Sequence, residues 1–288
     1  MNDIYINDFL LYLELDLNYS KNTIFTYENS LNHLSEYYKK DILYLNNNEI
    51  EKFLSSLNLE PSSISNYLSS YKTFYNYYIK LGKIKINPTD SISSPKLYKK
   101  LPVYLTVEEI DKLLDIEINN AFDARNKSLL ELLYSSGLRI SELVGLEFKN
   151  IDLNDCIIRV MGKGSKERIV PINDIAINYL KLYVKEYRHL LVKKEQNNYI
   201  YLNNHGKKMT RQGVYKMIKN IAYLNGIKKE VSPHTLRHSI ATHMLEGGAD
   251  LRIIQEFLGH SDIGTTQIYT HLTNDKLKSD YLEFFPRN

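Results

Sequence analysis

Between residues 24 and 78 apolar side chains return every three or four positions. The rhythm then breaks at "INPTDSISSPKLYKKLP", a stretch with three prolines. That break constrains the fold more than any other feature. In "NTIFTYENSLNHLSEYY" the repeating positions are Ile24, Tyr27, Leu31, Leu34 and Tyr38. In "SISNYLSSYKTFYNYYI" they are Ile64, Leu68, Tyr71, Tyr75 and Tyr78. Steps of three and four put one stripe on one face of an α-helix. Shorter helices are expected over 3–17 and 48–57, so residues 1–86 read as a small all-α bundle. The proline-rich stretch 87–102 lacks apolar periodicity and reads as a linker. A second domain, 103–288, then opens at "TVEEIDKLL", where Thr106 and Glu109 have capping-box spacing.

The second domain is expected to be mainly helical with one β-hairpin. "CIIRVMGKGSKERIVPI" holds two β-rich runs around a Gly-Lys-Gly-Ser turn, and a short strand at "YIYL" is expected to join them. Helices are expected near 210–225, 234–246 and 250–258. The overall class is therefore mainly α with a small β-sheet, in two domains.

Composition excludes several functions. No apolar run is long enough to span a bilayer, and "MNDIYINDFL" lacks the pattern of a signal peptide. A lone cysteine, Cys156, excludes an internal disulfide and a multi-cysteine zinc site, and fits a reducing cytoplasm. The net charge of +3 points only weakly to a polyanion. Residues 1–100 hold eleven lysines against eleven acids and no arginine. Any nucleic-acid role there must come from charges clustered on one face.

Five of the eight histidines lie between 234 and 271, beginning with "HTLRH". His234 and His238, at i and i+4, have the spacing of two zinc ligands. No Asp or Glu occurs between Val231 and Leu245, however, and Arg237 puts a permanent cation in the same turn. A phosphate site fits better. His234 and Arg237 share a helix face, the guanidinium fork matches phosphate oxygens, and histidine exchanges a proton near neutral pH. Core or capping histidines are the plainer alternative.

Other groups suit a phosphate. Arg139 follows Gly137 at a helix start, Lys163 sits at the hairpin tip, and Tyr269 lies nine residues after His260. Singly, each has an ordinary reading: a surface arginine, a solvated turn, a core aromatic. Together, "SGLRISELVGL", "MGKGSKERIVPI", "HTLRHSIATH", "LGH" and "TTQIYTH" stand in the order of the signature boxes of the tyrosine recombinases. The chain is identified as resembling that phage-integrase-like family, in its Xer (XerC/XerD-like) branch. The resemblance runs from the first helices to the tail.

The resemblance implies an N-terminal SAM-like core-binding domain and a C-terminal catalytic domain. It implies a phosphate clamp of Arg139 and Arg237, a catalytic lysine at Lys163, histidines at His234 and His260, and the nucleophile at Tyr269. His238 and His243 are left to support, and Glu142 is a candidate to orient Arg139. Expected DNA contacts are Lys21, Asn22, Thr23 and Lys72 in the first domain, and Lys166, Arg168 and Arg211 in the second. No metal and no cofactor is implied. The implied activity is site-specific recombination of double-stranded DNA through a 3′-phosphotyrosine and a Holliday junction. The implied assembly is a homo- or hetero-tetramer on synapsed DNA, with no membrane partner, resolving chromosome or plasmid dimers. Participation by a paralogous recombinase or a DNA translocase stays open. So do two rival readings, a mobile-element integrase and a catalytically silent DNA-binding protein. A type IB topoisomerase uses the same nucleophile but not this order and size. The tail, with Leu277, Tyr281, Leu282, Phe284 and Phe285, is too apolar for a free terminus. By resemblance it docks into a neighbouring protomer; by composition alone it completes its own core.

Overall fold

A computed structural model describes residues 2–96, 103–161, 167–193, 197–259 and 274–287. Its internal contacts separate two units, Met1–Lys100 and Leu101–Asn288. The first unit carries α1 (Asn2–Leu15), α2 (Lys21–Tyr38), α3 (Asn47–Ser56) and α4 (Pro61–Lys80). Ser20 caps α2, Asn46 and Glu49 form a capping box on α3, and Pro61 takes the first turn of α4. The apolar stripe of α4 is buried, as its spacing predicts: Leu68, Tyr71, Tyr75 and Tyr78 are each at most 1 % exposed.

A tyrosine-rich core must satisfy its hydroxyls. Here Tyr71 donates to Ser30 O at 2.9 Å, Tyr75 to Ile42 O at 2.7 Å and Tyr78 to Tyr5 O at 2.7 Å. Residues 87–92, expected as linker, are built into this unit instead. Asn87 is buried and donates to Asn76 Oδ1 at 2.8 Å, and Ile92 joins the core. Side-chain hydrogen bonds organise this piece, and they leave no periodic signature in the sequence. Residues 97–102 lie outside the described residues.

In the second unit, α5 (Val107–Leu114) begins at the expected Thr106–Glu109 capping box. Next come α6 (Ala121–Ser136), α7 (Ile140–Val144) and strands β1 (Ile151–Asp152), β2 (Ile157–Met161) and β3 (Glu167–Pro171). Helices α8 (Asp174–Leu182) and α9 (Arg188–Leu191) follow, joined by a π-turn over 183–187. The chain continues through α10 (Arg211–Leu224), α11 (Pro233–Glu246), α12 (Leu251–Leu258) and α13 (Asn274–Phe284). The hairpin forms as expected: β2 and β3 pair antiparallel, with Arg159 opposite Ile169 and Val160 opposite Arg168.

The third strand of the sheet is β1, antiparallel to β2, and not "YIYL". Tyr199 and Leu202 make only isolated bridges, to Glu147 and Lys208. The reason lies in two arginines that take the carbonyls of this segment. Arg188 donates to Asn197, Tyr199 and Ile200, and Arg125 to Leu202 at 2.8 Å. Those carbonyls are therefore occupied outside a ladder.

Helix α6 is the axis of the second unit and is buried on nearly every side, including Lys127 and Glu131, which pair at 3.0 Å. The tail packs back on this helix in its own unit. Tyr281 donates to Ser135 O at 3.0 Å and stacks on Phe257, and Phe285 lies against Tyr134. Arg287 closes the arrangement on Glu131 at 2.9 Å and Asp111 at 2.9 Å. In this chain the tail completes the core of its own unit. Leu282 is partly exposed, and the side chain of Leu277 lies outside the described residues.

Gly137 joins α6 to the site. It caps α6 at φ +54°, and a Cβ there would fall 2.8 Å from Leu258 Cδ2 and 3.1 Å from Phe257 Cε1. Both the left-handed backbone and the contact with α12 require glycine. Gly137→Ala should destabilise the second unit by about 2–5 kcal/mol, summing left-handed strain and overpacking. Urea unfolding of the intact chain, followed by a probe in this unit, measures it.

Candidate active site

Arg139 and Arg237 are 98 residues apart in sequence, yet both reach the turn that ends α12. Arg139 is the N-cap residue of α7, placed there as the chain leaves the Gly137 turn. Its Nη2 donates to Gly259 O at 3.1 Å. Arg237 lies on α11, which Ser232 caps and Pro233 begins. One of its amino groups donates to Leu258 O and the other to Gly137 O. The two guanidiniums thus share one short piece of backbone.

Glu142 holds this cluster together. Its Oε2 accepts the Arg139 backbone N–H at 2.8 Å, and its Oε1 accepts from Arg139 Nη1 at 3.1 Å. Arg168, on β3, adds a two-pronged contact to the same carboxylate, at 2.7 and 2.9 Å. Burial alone would raise the Glu142 pKa. The hydrogen bonds and charges of Arg168 and Arg139 outweigh it and hold the carboxyl below its usual range. The expectation that Glu142 orients Arg139 fits this geometry. The expectation that Arg168 reaches out to DNA does not: its side chain is only 15 % exposed and bound to Glu142.

Among the described residues, two guanidiniums thus bind one carboxylate, and a third, that of Arg237, stands in its field. The imbalance shows in Arg237, whose pKa is pushed down to about 10. Burial is the chief cause, Arg139 and Arg168 add to it, and Glu142 opposes it. Arg237 remains charged at neutral pH. The cluster carries positive charge beyond what its own carboxylate cancels, and an anion would relieve it.

Beside α11 lies a cleft of about 840 Å³, lined among others by Ile140, Arg211, Tyr215, His234 and His238. His234 is exposed in the first turn of α11, and Arg211 is exposed at the start of α10. Cleft and helix start thus place His234 and Arg211 on one concave surface. His238 is half-buried with its ring against Tyr104. Lys163, Lys166, His260 and Tyr269 lie outside the described residues. In the first unit, Lys21 and Asn22 are exposed in the first turn of α2, while Thr23 is partly buried by its bond to the Ser20 cap. Lys72 is half-buried on α4.

His243 has a structural place. It is 3 % exposed, with Nδ1 at 2.8 Å from Tyr134 Oη and Nε2 at 2.8 Å from Leu105 O. A carbonyl must accept, so Nε2 carries the proton and Nδ1 accepts from the tyrosine. Burial lowers the pKa of this histidine, although the Leu105 carbonyl and the Glu246 and Glu108 charges act the other way. The neutral ring is the form that the fold favours, so the unfolded chain binds more protons just below its ordinary pKa of 6.5. Stability should therefore fall as pH drops from about 6.5, the unfolded value. Urea unfolding at pH 7.5 and 5.5 tests this, and His243→Gln should flatten the difference.

Comparison with known proteins gives this geometry a context. Residues 103–276 match the Phage integrase family, and residues 6–82 match the Phage integrase N-terminal SAM-like domain. The tyrosine recombinase XerD of Oceanobacillus iheyensis is 42% identical over 98% of both chains. That of Listeria innocua is 41% identical over the full length of both. Among solved structures, the XerH site-specific recombinase bound to a palindromic difH substrate, in a post-cleavage complex, is 28% identical. It aligns with a TM-score of 0.70 over 91% of this chain and 80% of that one. The two domains, the boxes around Arg139 and Arg237, and full-length identity above two-fifths place this chain in the phage integrase family, as a tyrosine site-specific recombinase.

Proposed function

We propose that this recombinase cuts and rejoins double-stranded DNA at a specific site through a 3′-phosphotyrosine at Tyr269, and resolves chromosome or plasmid dimers. The observation that carries the reading is the convergence of Arg139 and Arg237 on the Leu258–Gly259 turn, with an excess of positive charge. A phosphodiester anion repels an incoming oxygen, and its transition state gathers further charge on the equatorial oxygens. Two fixed guanidiniums offset both effects. The XerH relative, a site-specific recombinase bound to its difH substrate in a post-cleavage complex, supports a DNA recombination site as the substrate class.

The remaining roles follow from chemistry and the family resemblance. The Tyr269 hydroxyl oxygen attacks phosphorus, giving up its proton to a base, the role of His234. The bond from phosphorus to the 5′-oxygen breaks, and Lys163 protonates that oxygen as it leaves. By the same resemblance His260 serves as a further phosphate-binding group. The phosphotyrosine conserves the bond energy, so a 5′-hydroxyl from the partner strand can reverse the step without ATP. Two such exchanges, made by a tetramer on two synapsed sites, pass through a Holliday junction. Arg211 serves phosphates near the cleft, Lys166 is a further phosphate contact by resemblance, and Lys21, Asn22, Thr23 and Lys72 serve the first domain's contact with the duplex. The reducing cytoplasm, where the chromosome lies, is the compartment that this function needs.

Two experiments test the reading on a nicked duplex selected by its binding to the protein. The wild-type chain should form an adduct that survives denaturing electrophoresis, and Tyr269→Phe should form none while binding DNA within about threefold of wild type. Adduct formation by the variant would remove Tyr269 as nucleophile. The Lys163→Ala variant should slow cleavage of an ordinary phosphodiester by about 10²–10⁴-fold, the usual worth of a general acid. It should cleave a substrate with a 5′-thiolate leaving group at nearly the wild-type rate, since sulfur leaves without a proton. Equal slowing on both substrates would reduce Lys163 to a phosphate-binding cation.

A further inference from the structure

Arg168 is a cation close to a phosphate clamp, and a direct contact with DNA is the obvious use for it. The structure gives it a different one. Its side chain is 15 % exposed, and both amino groups are bound to Glu142, at 2.7 and 2.9 Å. Glu142 in turn holds Arg139 twice, by its backbone N–H and by its guanidinium. The far side of Arg168 lies against Gly259: a Cβ at that glycine would fall 2.7 Å from Arg168 Cδ and 2.8 Å from Nε. Gly259 O is the same group that accepts from Arg139 Nη2. Arg168 thus touches both anchors of Arg139, the carboxylate and the turn.

We propose that Arg168 is a positioning residue: it locks Glu142 and the Gly259 turn together, and so fixes where the Arg139 guanidinium meets the scissile phosphate. Without it, Glu142 keeps only Arg139 among these partners, and the carboxylate is free to follow that side chain instead of directing it. A carboxylate clamped by a second guanidinium cannot swing, because each of its oxygens is already directed at a donor. The absence of a side chain at Gly259, at φ +65°, leaves the space that Arg168 fills. Strand β3 supplies the rigid base, since Arg168 pairs with Val160 across the hairpin. This proposal rests on the reading of Arg139 as part of the phosphate clamp.

The test uses the full-length protein and single-turnover cleavage of the nicked duplex. Arg168→Ala should slow cleavage by about 10- to 100-fold, the effect of a small misplacement at a reacting centre. DNA affinity should stay within about threefold, and the dependence of affinity on salt should not change. Arg168→Lys should behave like the alanine variant, because one ammonium cannot span both carboxylate oxygens. It also carries the test if the alanine variant does not fold. Adding Glu142→Gln to Arg168→Ala should cost little beyond the Glu142→Gln change alone, since both act through one contact. A substrate with an uncharged methylphosphonate at the cut should show a much smaller loss in the Arg168 variants, because less charge needs the clamp.

A salt dependence weakened by about one phosphate contact would instead make Arg168 a direct DNA contact and overturn the proposal. Equal slowing on charged and uncharged substrates, with a lowered melting temperature, would make it a plain structural brace and overturn it too. Unchanged cleavage would do the same. If the wild-type chain forms no covalent adduct at all, the assignment of the recombinase nucleophile fails first, and this proposal falls with it.

Discussion

Two like charges held side by side are the interaction on which the rest of the second unit depends. Arg139 and Arg237 repel one another, and burial of Arg237 adds to the difficulty of keeping both ionised. The fold offsets this with fixed dipoles and one carboxylate. Backbone carbonyls of Gly137, Leu258 and Gly259 accept from the two side chains, and Glu142 takes Arg139. Those carbonyls come from the end of α6 and the end of α12. Their groups point outward because a helix leaves its last carbonyls without intrahelical partners. The clamp is therefore built where two helix C-termini meet, in the field that favours cations.

Bringing two helix ends together is a packing problem, and apolar residues solve it. Phe257 and Leu258 of α12 lie over Gly137, and Tyr281 of α13 stacks on Phe257. The tail then ties to α6 by the Tyr281 hydroxyl and by Arg287 on Glu131. Glu131 is 1 % exposed and would be a costly isolated charge; Lys127 and Arg287 hold it from two sides. The electrostatics of the clamp and the burial of the tail thus lean on the same helix. A disturbance at the tail reaches α12 through Phe257, and α12 ends in the turn that holds both arginines.

Much of this was legible in the sequence where a single local rule decides the structure. The stripe on α4, the Thr106–Glu109 box and the hairpin strands each follow from residues near one another, and each is found. That Arg139 and Arg237 belong to one cluster was legible because their boxes are distinctive, and both reach the Leu258–Gly259 turn. What failed depends on distant partners. "YIYL" has strand composition, but Arg188 and Arg125 take its carbonyls. Residues 87–92 look like linker by composition, yet Asn87 and Ile92 are bound into the first unit. Arg168 reads as a surface cation because nothing in "KERIVP" reveals the Glu142 carboxylate 26 positions earlier. Arginine's role is set by what it meets, and a sequence shows only what it is.

The choice of arginine at the clamp can itself be argued from the surroundings. Burial and two neighbouring cations bring Arg237 down to about 10 from an ordinary value of 12.5, and the side chain still carries its charge at neutral pH. A lysine begins at ~10.4. The same environment acting on it would leave a smaller margin between its pKa and neutral pH than arginine keeps. A single ammonium would also have to choose between the Gly137 and Leu258 carbonyls, which the planar fork takes together. A site that gathers positive charge is thus one where arginine holds its proton better than lysine. Lysine's softer proton suits the opposite duty, giving a proton away, which is the role proposed above for Lys163. One chemistry needs a cation that never lets go of its proton and another that does, and the chain uses a different residue type for each.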